Sequence, residues 1–171
     1  MSAKTITAQA IGLLAAGFIF ASYQQRGRKK ILILQIISGA LFTVHFLLLG
    51  AYSGAAMNLL GTLRSLVYSQ SDKRWAKSPV WLFVFIAAFS AAGVLTWSGL
   101  KSILPLIAML LTTVSLWLKS PRLIRAVTFP SSPMWLAYNV LVRSYSGILT
   151  ECFVTTSLTI AIIRYDIIEP R

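Results

Sequence analysis

The chain has 171 residues, of which 57% are hydrophobic and 12% charged, with a formal net charge of +12. That charged fraction is about half of what a soluble domain carries. Four acids and sixteen bases do not build a water-facing surface over so much Leu, Ile, Val and Phe, so lipid is the solvent for most of the chain. The bases argue against a nucleic-acid partner, because they fall in short clusters between apolar runs and not along one polar element.

Seven apolar segments follow in chain order, at 8–25, 31–50, 53–70, 79–97, 100–118, 123–142 and 145–164. Each is close to the ~20 residues that a helix needs to cross about 30 Å of hydrocarbon. The first does not have the pattern of a cleaved leader, since its charge follows the apolar stretch, at Arg26, Arg28, Lys29 and Lys30. Segments two and three are separated only by Ala51 and Tyr52, and six and seven by a similarly short link. A helix of ~40 residues would be about 60 Å long, so both pairs are expected to fold back as tight helical hairpins. Segment six contains Phe129-Pro130-Ser131-Ser132-Pro133, which removes two backbone donors and predicts a kink or break. The lone cysteine, Cys152, precludes an intramolecular disulfide.

Orientation comes from the bases. Twelve of the sixteen fall after segments one, three, five and seven, whereas only Lys4, Lys101 and Arg143 fall on the other side. Arg64 lies within segment three. Retention of Lys and Arg on the cytoplasmic face then places the amino terminus outside and the carboxyl terminus inside.

A shift of 93 residues, which carries Tyr52 onto Tyr145, superposes the two halves without a gap. Tyr52-Ser53-Gly54 falls on Tyr145-Ser146-Gly147, Asn58 on Glu151, His45 on Tyr138 and Gly12 on Pro105. The proline-rich stretch of segment six falls on Ile36-Ile37-Ser38-Gly39-Ala40 of segment two, also a poor stretch for a rigid helix. The expected fold is therefore all-α: a polytopic membrane protein of seven transmembrane helices in a 3+1+3 plan. Residues 1–72 form one three-helix bundle, 73–99 a linker helix, and 100–171 a second bundle parallel to the first. Interrupted helices at matching places in two repeats point to a transporter site between them, with Pro105, Pro130 and Pro133 as hinges.

Polar groups at membrane depth each need a partner or water. Asn58, Glu151, His45, Tyr138 and Asn139 are expected to form one layer between the bundles, with Arg64 about a turn and a half below Asn58 and able to reach Glu151. Three readings are open. The groups are structural hydrogen bonds between helices; or they line a solute cavity, with Trp135 or Trp117 stacking; or His45 and Glu151 couple proton movement. No metal cluster, phosphate loop or nucleophile triad is visible, so neither catalysis nor a cofactor is expected.

Two stretches carry a resemblance. His45-Phe46-Leu47-Leu48-Leu49-Gly50-Ala51-Tyr52 continuing to Arg64, and Trp135-Leu136-Ala137-Tyr138-Asn139 with Ser146-Gly147, Glu151 and Ile162-Ile163-Arg164, resemble the YgjV-type bacterial inner-membrane proteins. The resemblance implies the bacterial inner membrane. In its 3+1+3 plan the chain is more distantly similar to the SWEET sugar transporters, the PnuC-type transporters and the KDEL receptor, which hold ligands between two bundles. The expected function is transport or facilitation of a small neutral or zwitterionic solute. Asn58, Glu151, Asn139, His45, Tyr138, Trp135 and Arg64 are the expected cavity residues. The alternative is a receptor-like or accessory membrane protein. Anionic lipid headgroups are expected at the basic face, and the chain acts as a monomer or homo-oligomer.

Overall fold

The computed structural model describes residues 2–23, 25, 28–70, 72–118 and 120–168. Arg26, Lys119 and Arg171, which contribute to the charge asymmetry, lie outside the described residues. Every regular element among the described residues is helical. The order is α1 (Ala3–Tyr23), α2 (Arg28–Leu48), α3 (Tyr52–Ser69), α4 (Val80–Leu95), α5 (Ile103–Ser115), α6 (Pro121–Thr128), α7 (Ser131–Leu141) and α8 (Tyr145–Ile162). Short 3₁₀ turns at Arg74–Lys77 and Leu100–Ser102 precede α4 and α5, and α8 ends in a π-helical turn, Ile163–Ile168.

Ala3–Ser22, Lys30–Leu48 and Tyr145–Ile168 are long and apolar enough to cross a membrane, and Val80–Leu95 and Leu100–Ser115 are shorter apolar helices. Large apolar side chains such as Leu13, Leu14, Phe83, Leu95 and Ile160 are more than half exposed. So much outward-facing hydrocarbon far exceeds what a soluble monomer leaves uncovered, and a bilayer accounts for it.

The sixth apolar segment is not one helix. It divides into α6 and α7 around Phe129 and Pro130, because Pro130 has no N–H to continue the ladder. Both residues keep right-handed helical dihedrals, so the chain bends at the missing donor and does not reverse. Pro105 and Pro133 instead occupy the first turns of α5 and α7, where the lost N–H has no intrahelical partner to miss.

The helices pack in a closed circuit, α1 on α2, α2 on α3, α3 on α5, α5 on α7, α7 on α8 and α8 back on α1, with α4 lying against α3 and α5. One apolar cluster, with Phe42, Phe46, Ala51, Ala55 and Tyr138, fills the end where the hairpins turn. A second joins Met57, Phe85, Phe89 and Met109 of α3, α4 and α5.

The two hairpin turns repeat each other's backbone conformation and hydrogen bonds at the 93-residue shift. Gly50 and Arg143 both take positive φ, 70° and 57°. Next come Ala51 (φ −91°, ψ 66°) and Ser144 (φ −88°, ψ 85°), whose N–H groups donate to Phe46 and Asn139 carbonyls at 2.9 and 2.8 Å. Tyr52 and Tyr145 then open α3 and α8.

Candidate functional site

The hairpin end is sealed by polar bonds that cross between the halves in matching fashion. His45 Nδ1 donates to the Ala8 carbonyl at 2.6 Å, which requires the proton on Nδ1, and Nε2 bonds the Ser144 hydroxyl at 2.7 Å. Tyr138, the position matching His45, accepts from the Gly54 N–H at 2.8 Å and lies 3.5 Å from the Ala51 carbonyl. Ser53 Oγ bonds the Ser102 hydroxyl at 2.9 Å, and the matching Ser146 N–H donates to Gln9 Oε1 at 3.5 Å. Gly54 is required here. A Cβ at this position would sit 2.7 Å from Tyr138 Cε1, a ring that is fully buried and fixed at its hydroxyl.

Below the seal, three cavities adjoin through shared lining residues. The first, about 180 Å³, is lined by Phe42 and Trp135, Phe46 and Asn139, and Asn58 and Glu151. These are three pairs of positions related by the 93-residue shift. Ile19, Phe42, Asn58 and Met109 also border the second cavity, about 190 Å³. Gln35, Arg64 and Ser65 connect that one to a vestibule of about 720 Å³ at the end carrying Lys77, Trp117 and Thr128.

The polar groups around the first cavity keep unused capacity. Glu151 Oε2 accepts from Ser132 Oγ at 2.8 Å. Asn58 Nδ2 donates to the Gly54 carbonyl of its own helix at 3.1 Å. Asn139 Oδ1 is buried without a hydrogen-bond partner, a state that a polar guest or water would relieve.

Of the seven residues singled out by sequence, Asn58, Glu151, Asn139 and Trp135 meet around one cavity. Arg64 lies one chamber further toward the basic end. His45 and Tyr138 are fully buried in the seal and line none of the three cavities.

The expected meeting of Arg64 with Glu151 does not occur. Arg64 Nη1 instead donates to Thr113 Oγ1 at 2.5 Å, Thr112 Oγ1 at 3.3 Å and the Met109 carbonyl at 3.4 Å. Arg64 is six residues, about 9 Å of helix rise, beyond Asn58, whose level Glu151 shares, so the hydroxyls of α5 are nearer. His45 and Glu151 do not touch either, each being bonded to other groups. Trp117 Nε1 donates to Tyr68 Oη at 2.8 Å in the vestibule wall. Ser132, Thr112 and Thr113 carried no signal in the sequence, because hydroxyls are frequent in membrane helices and most simply bond the preceding turn. Gln9 was recoverable, since the shift carries it onto Ser102.

An apolar outer face around polar internal cavities, on an all-helical chain, defines a multi-spanning membrane protein. The chain belongs to the Imp-YgjV family, described as bacterial inner membrane protein, which it matches over residues 6–167. It is 24% identical over 144 residues to Inner membrane protein YgjV of Escherichia coli (strain K12), covering 84% of this chain and 76% of that protein. No solved structure matches the chain. Its place is the bacterial inner membrane, which it crosses several times.

Proposed function

We propose that this protein is a small-solute transporter or facilitator. In this reading α1–α3 and α5–α8 are two parallel three-helix bundles related by an axis along the membrane normal, with α4 as linker and the hairpin turns facing outside. The observation that supports it most is the first cavity, whose walls include three pairs of repeat-related positions. A guest there sits at the bundle interface, where rocking of one bundle against the other changes access. The sealed hairpin end and the vestibule at the basic end correspond to an inward-facing state. The α6–α7 break at Pro130 supplies a hinge beside Ser132, the donor to Glu151, while Pro105 and Pro133 set the starts of α5 and α7.

Uptake by proteoliposomes of a panel of sugars, nucleosides, amino acids and carboxylates tests the reading. Saturable flux that drops at least about tenfold in Asn58→Ala and Glu151→Gln, with elution profiles unchanged, is the expected result. Absence of flux across the panel, with ligand stabilisation or a stoichiometric co-purifying partner, would replace it with a receptor or accessory role.

A further inference from the structure

Arg64 lies deep within an apolar segment, outside the loops over which the charge asymmetry is counted. It lies inside α3, is only 8% exposed, and borders both the second cavity and the vestibule. A guanidinium at this depth ordinarily has a carboxylate partner. Among the described residues the ion pair present is Arg125 with Asp166, and Arg64 takes no part in it. Among the described residues Arg64 is held by neutral groups: two threonine hydroxyls and a carbonyl at Nη1, and the Phe89 ring, 5.6 Å from the guanidinium centre. Its Nε is buried with no partner at all.

The surroundings have the same sign. Among the described residues the vestibule wall contains Arg64 and Lys77 and no acidic residue, and hydroxyls and an amide from Ser65, Thr112 and Gln35 line it with Arg64. A low-dielectric chamber lined by one sign of charge concentrates ions of the other sign. A guanidinium fork flanked by neutral donors suits a carboxylate or phosphate. If Arg64 served only to staple α3 to α5, it would not need to border two chambers with donor capacity unused.

We propose that Arg64 is an anion-binding group at the neck between vestibule and central cavities, and that the solute carries a carboxylate or phosphate. That the bound anion is also transported rests on the reading given above; the binding site itself does not. The same chemistry has a second source in the phosphate of a lipid headgroup entering from the basic face.

The test uses the purified full-length chain. Thermal unfolding is followed with glutarate against its uncharged isostere glutaramide, and with inorganic phosphate against chloride at equal ionic strength. An anion is expected to raise the midpoint where its neutral or chloride counterpart does not. The half-saturating concentration should rise roughly tenfold or more in Arg64→Gln, as loss of a charged hydrogen-bonding partner implies, and less in Arg64→Lys. Equal response to glutarate and glutaramide together with none to phosphate, or an undiminished anion response in a folded Arg64→Gln protein, overturns the proposal. Should Arg64→Gln fail to fold, the wild-type comparison and Arg64→Lys decide it. Native mass spectrometry showing a retained phospholipid that is lost from Arg64→Gln and partly kept in Arg64→Lys upholds the anion site and assigns lipid phosphate to it. In proteoliposomes, neutral-solute flux indifferent to anions and to Arg64→Lys overturns the anion site and leaves transport standing. Anion-specific stabilisation without flux does the reverse.

Discussion

His45 on α2 and Tyr138 on α7 stand 93 residues apart, and each reaches across to the hairpin turn of the opposite half. His45 bonds Ser144 at the second turn; Tyr138 bonds Gly54 and approaches Ala51 at the first. Ala51 and Ser144 are themselves related by the shift, so the two contacts are one contact made twice by different chemistry. An exchange of this kind ties the halves together at one end while leaving cavities between them at the other.

Loss of either tie should loosen that end unequally. Tyr138→Phe removes one hydroxyl and leaves the Gly54 N–H, in the first turn of α3 where no carbonyl of its own helix reaches it, without its acceptor, at about 1 kcal/mol. His45→Ala removes two bonds and opens a void in a fully buried site, at roughly 2 kcal/mol or more. Thermal unfolding in detergent should rank wild type above Tyr138→Phe and Tyr138→Phe above His45→Ala. The reverse order would mean that the histidine bonds contribute little to holding the seal.

Gly50 and Arg143 make the same turn, but only glycine adopts positive φ without steric cost. Arg143→Gly should stabilise by about 0.5–1 kcal/mol, since a left-handed non-glycine residue costs ~1–2 kcal/mol and the more flexible unfolded chain returns part of that. The Gln9 bond to this turn survives the change because it is made to the Arg143 carbonyl, at 2.8 Å. Gly50→Ala should cost about 1 kcal/mol through backbone strain alone, as open space surrounds its missing Cβ. Unfolding midpoints moving in opposite directions would bear this out, and an unchanged or lowered midpoint for Arg143→Gly would contradict it.

These two turns were the most legible part of the sequence. Tyr-Ser-Gly recurs at both, and helix length alone forces the chain to fold back there. The break at Pro130 was equally plain, because a missing donor acts locally whatever the packing. Asn58 and Glu151 were paired by the shift, and both border the same cavity. What could not be read was azimuth. Depth along a helix follows from counting residues, but whether His45 faces a cavity or a neighbouring carbonyl depends on rotation, which only packing sets. Arg64 shows the same limit, since choosing Thr112 and Thr113 over Glu151 required the position of α5.

Orientation is open to a labelling experiment. In a Cys152→Ser background, Lys101→Cys at the hairpin end and Lys77→Cys at the basic end both introduce thiols at exposed positions. With the hairpin turns outside, a membrane-impermeant maleimide added to spheroplasts should modify Lys101→Cys directly and Lys77→Cys only after lysis. The opposite pattern would invert the topology and turn the vestibule outward.

Glu151 and Ser132 separate a carboxylate that serves the guest from one that serves the fold. Glu151→Gln keeps an acceptor for the Ser132 hydroxyl but removes the acid; Ser132→Ala keeps the acid but removes its one protein donor. If the carboxylate meets the solute, Glu151→Gln should lower uptake efficiency at least about tenfold, a loss of ~1.4 kcal/mol of transition-state stabilisation. Ser132→Ala should then cost less, because the cavity offers water in place of the lost hydroxyl. Thermal unfolding measured on the same samples supplies the control. A structural carboxylate predicts that Ser132→Ala destabilises and impairs uptake as much as Glu151→Gln, and that result would remove Glu151 from the solute site.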